Sequence, residues 1–218
     1  MKDKEYIENI ENILSGLLKP IKNIPFNIVV KSISNNVEVI SFNECNDTHN
    51  RALEVLKKIS QDVIIKTKNQ SIISERVNEV GNKIENIVKD SMIENDIKII
   101  RPKSQKNKNV GYPDFEFFIK NDSFYLECKT YNKKSYQSSN RSFFLSPSKD
   151  FKVGKSTVHF LLSFEIIKET INDINYYKAI SFHIISIEKL QCDLKYEFNS
   201  SNKKIYSNNY GAKILFSS

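Results

Sequence analysis

The chain has 218 residues, 39% of them hydrophobic and 27% charged, which excludes a disordered segment and leaves room for one sizeable core. No uninterrupted apolar run approaches the roughly 20 residues of a membrane span, and the charged, helix-patterned start MKDKEYIENIEN is not expected to act as a signal peptide. Three scattered cysteines, Cys45, Cys128 and Cys192, without CxxC spacing argue against a disulfide framework and a zinc site, and point to a reducing, cytoplasmic compartment.

In chain order, Ile7, Ile10, Ile13, Leu14, Leu17 and Leu18 recur at helical spacing and predict a helix over 5–18, stopped at Lys19-Pro20. Residues 28–42 alternate loosely and leave strand and helix both open. Asp47-Thr48 read as the cap of a helix over 49–65, with Ala52, Leu53, Leu56 and Ile59 on one face. Ser74 reads as the cap of a second long helix, 74–92, striped by Val77, Val80, Ile84, Ile87, Val88 and Met92. The polar, basic stretch 101–109 reads as a loop. Residues 114–119 and 123–131 read as strands around the turn Lys120-Asn121-Asp122-Ser123. A short strand is expected at 142–145, a buried strand over the apolar run 158–167, another strand at 179–187, and a short helix near 188–194. The order predicts an α/β fold: a central mixed β-sheet flanked by helices, with a helical N-terminal addition. Residues 1–73 form that mostly helical region and 74–218 the core, within one compact domain overall.

The formal net charge is +7, and its whole excess lies between Arg101 and Lys155, where 12 basic residues face 5 acidic ones. A positive field concentrated in this way suits a polyanionic partner.

Inside that stretch one hairpin carries chemistry. Side chains alternate along a strand, so Phe124, Leu126 and Cys128 share a core face, while Tyr125, Glu127 and Lys129 share the other. A two- or four-residue loop centred on Asn121-Asp122 pairs Asp114 with Lys129 and Glu116 with Glu127, making Asp114 and Glu127 diagonal neighbours within reach of one cation. An odd loop would turn Asp114 to the core face. Two carboxylates this close repel unless a cation lies between them. Mg²⁺ takes one or two carboxylates with waters and substrate phosphate, and activates a bound water. A neighbouring lysine holds or deprotonates that water and neutralises transition-state charge. Glu116 is a candidate accessory ligand.

Pro113-Asp114 followed by Glu127-Cys128-Lys129 resembles the PD-(D/E)XK nuclease signature, with Cys128 at the variable position. The resemblance implies a restriction-endonuclease-like core in 74–218, Mg²⁺ dependence, a metal site at Asp114, Glu127 and Cys128, and Lys129 as the catalytic lysine. Family members place a further acid on the preceding helix; Glu85 matches best, with Glu79 and Glu75 as competitors. The polar loop 131–148 supplies candidate DNA contacts in Lys133, Lys134, Gln137, Asn140 and Arg141. The tail adds Lys203, Lys204, Asn208 and Asn209 as a second candidate group.

The chain has no GxGxxG or GxxxxGK[ST], so no nucleotide cofactor is expected. His49, His159 and His183 lack HxH or HExxH spacing, and the last two are expected as strand residues with satisfied hydrogen bonds. Among nucleases of this kind a short chain without ATPase or methyltransferase motifs most resembles a type II restriction endonuclease. That implies a homodimer cutting double-stranded DNA at a short palindrome, with a cognate methyltransferase as genetic partner and residues 1–73 serving dimerisation or DNA contacts. A structure-specific repair or junction-cleaving nuclease and a non-catalytic DNA-binding protein remain the alternatives.

Overall fold

The computed structural model describes residues 2–17, 19, 21–34, 36–104, 106–107, 111–137, 143, 145 and 151–194. The elements are α1 (Lys2–Leu17), β1 (Ile21–Pro25), α2 (Phe26–Ile33), α3 (Asp47–Asn69), β2 (Ile72–Ile73), α4 (Val77–Glu94), β3 (Ile99–Ile100), β4 (Phe115–Ile119), β5 (Asp122–Tyr131), β6 (His159–Ile171), β7 (Ile174–Ser186) and β8 (Gln191–Leu194). The fold is α/β, as expected.

The chain divides into two compact units, Met1–Ile24 with Cys192–Ser218, and Pro25–Gln191. The division does not fall at the expected 73/74, because α3 and β2 belong to the same hydrophobic core as α4 and the sheet. In the first unit, β1 and β8 form a two-stranded sheet, and the Asn23 amide donates to Asp193 Oδ1 at 3.0 Å. The helix expected near 188–194 is therefore a strand: pairing with β1 satisfies its main chain, and the sequence is too short to show that partner.

The second unit is built on a six-stranded sheet in the order β2-β7-β6-β5-β4-β3. β5 and β6 run parallel, and the other neighbours are antiparallel. Phe115, Phe117, Phe124, Leu126, Phe160, Leu162 and Phe164 project from the central strands into a core shared with α3 and α4. α3 contributes Ala52, Leu56, Ile59 and Val63, and α4 contributes Val80, Ile84, Val88 and Met92, all at helical spacing. Each of these side chains larger than Ala52 stabilises the fold by about 1.5–3 kcal/mol of transfer free energy.

Local chemistry sets the ends of these elements. Asn46, one residue before the expected cap, accepts from the Thr48 and His49 amides at 2.9 and 3.0 Å and starts α3. Ser74 does not cap α4: Arg76 holds that position, and the Ser74 hydroxyl donates to Glu79 Oε2 at 2.7 Å. Thr67 Oγ1 accepts the Ala179 amide at 3.1 Å, satisfying a β7 edge group beyond the reach of short β2. The ambiguous stretch 28–42 resolves into the end of α2 and an extended segment in which Val39 bridges Thr157. β6 and β7 join through Asn172-Asp173, both at positive φ (49° and 63°), as a two-residue hairpin turn that matches strand twist requires. The strand expected at 142–145 falls largely outside the described residues.

On the opposite face of β5 and β6 lies a second, aromatic layer. Tyr112 stacks on His159 with centroids 5.8 Å apart, and Phe26 and Tyr125 meet His159 edge-on. This layer supports the face that carries Glu127.

Candidate active site

β4 and β5 meet through the two-residue turn Lys120-Asn121, with Ile119 opposite Asp122 and Lys120 in the left-handed region at φ 55°. The ladder pairs Phe115 with Leu126 and Glu116 with Tyr125. This differs from the expected register, which put Glu116 opposite Glu127 and Asp114 opposite Lys129. The turn closes one residue earlier than expected, so every partner slides by two positions. An even slide keeps side chains on their faces. It also extends the ladder so that Asp114, just before β4, comes opposite Glu127.

The two acids meet there. Asp114 Oδ2 accepts the Cys128 amide at 2.9 Å, across the strand pair. Glu127 is buried; its Oε1 accepts from Lys129 Nζ at 2.5 Å. Among the described residues its Oε2 is buried without any hydrogen-bond partner. Burial first, then the Asp114 charge, pushes the Glu127 carboxyl up to about 7, against the pull of Lys129. Burial draws the Lys129 ammonium down, but Glu127 and Asp114 together outweigh it and hold it above its ordinary value.

A buried carboxylate with an unused oxygen, beside a second carboxylate, fits a hard divalent cation. No group of three or more His, Cys, Asp or Glu side chains among the described residues is arranged to hold a metal. A cation bound here would therefore complete its shell with water and phosphate oxygens. The Cys128 side chain takes no part in that shell. It lies in the hydrophobic core on the other face of β5, where burial raises its thiol well above the usual range. Alternation along the strand turns it away, which leaves Cys128 only its main chain to offer.

Glu85, on α4, is half-buried. Its carboxyl is raised by burial and then by Asp114, and lowered by Arg101, Lys129 and Lys152. Its Oε2 lies 3.6 Å from Arg101. Its competitors Glu75 and Glu79 are exposed, and Glu79 is engaged by Ser74. Glu116 is buried, and Lys155 Nζ donates to it at 2.7 Å. The slide of register carries it away from Glu127 and toward that lysine.

Sequence reasoning missed Lys152 and Arg101 as neighbours of the site. Lys152 is buried and donates from Nζ to the Pro113 carbonyl at 2.5 Å, bracing the residue before Asp114. Burial lowers its ammonium, opposed by Asp114 and Glu127. Nothing distinguishes Lys152 from other lysines in a basic run. His159 was expected to be satisfied. Its Nδ1 shares a 2.5 Å hydrogen bond with the Tyr112 hydroxyl, while Nε2 is buried without a partner among the described residues. Burial drops this imidazole to about 3, so it is neutral.

Lys133, Lys134 and Gln137 are exposed just beyond β5. Asn140 and Arg141, and the tail residues Lys203, Lys204, Asn208 and Asn209, lie outside the described residues. Lys129 also lines a cleft with Tyr131, Tyr136, Ser163 and His183. The Tyr131 and His183 rings stack there at 5.9 Å, whereas His183 was expected simply as a satisfied strand residue.

Residues 20–209 match the family model described as the type II restriction enzyme MjaV family. The chain belongs to that family. It is 38% identical to the type II restriction enzyme MjaV of Methanocaldococcus jannaschii over 94% of this chain and 95% of that protein. Among solved structures it is similar to the tetrameric restriction endonuclease SfiI bound to cognate DNA, with a TM-score of 0.39 and 12% identity over 68% of this chain and 67% of that one. Membership in a type II restriction enzyme family implies endonuclease activity. No helix among the described residues is long and apolar enough to cross a membrane.

Proposed function

We propose that the protein is a Mg²⁺-dependent PD-(D/E)XK restriction endonuclease that hydrolyses phosphodiester bonds in double-stranded DNA at a short specific sequence. The observation that carries the reading is the unpartnered, buried Oε2 of Glu127 beside Asp114 and Lys129. Asp114 and Glu127 would hold the metal, with the main chain of Cys128 as the remaining contribution from the signature. When bound, the cation polarises the phosphoryl oxygen and lowers the pKa of a coordinated water.

The chain's own groups do the rest. In the metal-free site Glu127 and Asp114 hold the Lys129 ammonium above its ordinary value. Beside the reacting centre it can hold or deprotonate the attacking water and neutralise charge on the phosphoryl oxygens. With Glu127 engaged in holding the metal, Lys129 would be the group available to face substrate. Glu85, shifted upward and facing Arg101, supplies the further acid of the site. Lys133, Lys134, Gln137, Asn140 and Arg141 are the proposed DNA contacts of the loop after β5. The active form is a homodimer in the cytoplasm, two sites serving the two strands of a palindrome, with a methyltransferase protecting host DNA. Residues 25–191 carry the catalysis.

Digestion of plasmid DNA by purified protein tests this. Discrete fragments with Mg²⁺, absent with EDTA, are expected. Cleavage confined to branched junctions, or none with any divalent metal, contradicts it.

A further inference from the structure

Beside the carboxylate pair lies a cleft whose walls include Arg101, Lys103, Lys152 and Lys155. It holds one acid, Glu116, already engaged by Lys155 at 2.7 Å. Four cations against one carboxylate leave a formal excess of three in one concavity. Folding does not otherwise reward crowding of like charges, and a concave positive surface concentrates field for an anion.

The cleft is built, and it is joined to the site. Lys152 is fixed on the Pro113 carbonyl, so the loop 151–155 is tied to the residue preceding Asp114. The Gly154 amide donates to the Tyr125 hydroxyl at 3.1 Å, fixing the same loop to β5 two residues before Glu127. Arg101 stands over the Phe115 ring at 4.9 Å and reaches toward Glu85 at 3.6 Å. Arg101 and Lys152 thus belong to the cleft and border the carboxylates, and the exposed Lys103 and Lys155 line the same cleft. A basic concavity adjoining a phosphodiester-cleaving centre matches a sugar–phosphate backbone.

We infer that this cleft seats the backbone phosphates flanking the scissile one, with Lys103 and Lys155 contacting DNA directly, at a place apart from the loop after β5. The inference rests on the nuclease reading above. Each contact is of the kind that releases a condensed counterion and carries no sequence information.

Fluorescence anisotropy with a short mixed-sequence duplex in EDTA, read at a series of salt concentrations, tests it. Wild type gives a negative slope of log affinity against log salt. Lys103→Gln and Lys155→Gln each make that slope shallower by about 0.9, and the double variant by about twice that. Lys103 is exposed, so its variant keeps the wild-type Tm and reads the cleft apart from the Lys155–Glu116 pair. Lys58→Gln, on the exposed side of α3, leaves the slope unchanged. Unchanged slopes in both cleft variants, while wild type shows salt-dependent binding, overturn the cleft but not the nuclease. Absence of salt-dependent binding in wild type overturns both.

Discussion

At the scale of single residues, the site stores a conflict that substrate chemistry resolves. The Glu127 carboxyl is raised from 4.5 to about 7 by burial and by Asp114. A carboxyl raised in the folded state holds its proton more tightly there than in the unfolded chain. Its linkage contribution favours folding below 4.5 and is lost as pH rises from 4.5 to about 7, so the metal-free protein is less stable above neutrality than below it. Asp114→Asn removes one of the two causes, and its amide oxygen can still accept the Cys128 amide. In a thermal melt without metal at mildly alkaline pH, Asp114→Asn is expected to be more stable than wild type, on the order of 1 kcal/mol. Equal or lower stability contradicts a strained, uncompensated carboxylate pair. Lys129 depends on the same conflict: in the metal-free site the two acids hold its ammonium above the ordinary value.

At the scale of elements, α4 sets the approach of Glu85 to the sheet. At Gly81, on this helix, a Cβ would meet only Thr130 Oγ1, at 3.8 Å, which is ordinary contact. Gly81→Ala should therefore stabilise the protein by about 0.5–1 kcal/mol through helix propensity, with plasmid cleavage unchanged. A destabilised variant in urea denaturation would mean that helix and strand lie closer than this geometry. The same elements show what could be read from the chain. The ExK strand was legible because Phe124, Leu126 and Cys128 alternate with Tyr125, Glu127 and Lys129, and alternation assigns faces whatever the partner. The long helices were legible from their apolar stripes, with ends off by a cap or a turn. The hairpin register was not, because it depends on whether the chain turns at Lys120-Asn121 or one residue later, and Lys120 does not advertise its positive φ. β8 was illegible because its partner β1 lies far away in sequence. Lys152 was invisible for the same reason: its bond to the Pro113 carbonyl spans the hairpin and the following loop.

At the scale of the whole molecule, the proposed homodimer needs an apolar contact, and α1 offers one. Tyr6, Ile7 and Ile13 on this helix are 66%, 54% and 61% exposed, a stripe without cover among the described residues. Ile7→Lys combined with Ile13→Lys should shift sedimentation of the purified protein from dimer to monomer; persistence of the dimer would place the contact elsewhere. Charge is distributed on the same scale: the basic excess of the chain lies in the sequence segment 101–155, which contains both acids. A positive field concentrated in this way suits a polyanionic partner. The proposed roles of Asp114 and Lys129 lie in cleavage rather than in binding. They are tested most directly by measuring DNA affinity and Mg²⁺-dependent plasmid cleavage side by side for wild type, Asp114→Asn and Lys129→Gln. Cleavage should fall by about 10²-fold or more in both variants while affinity without metal is retained. Cleavage near the wild-type rate in either variant would contradict the assignment.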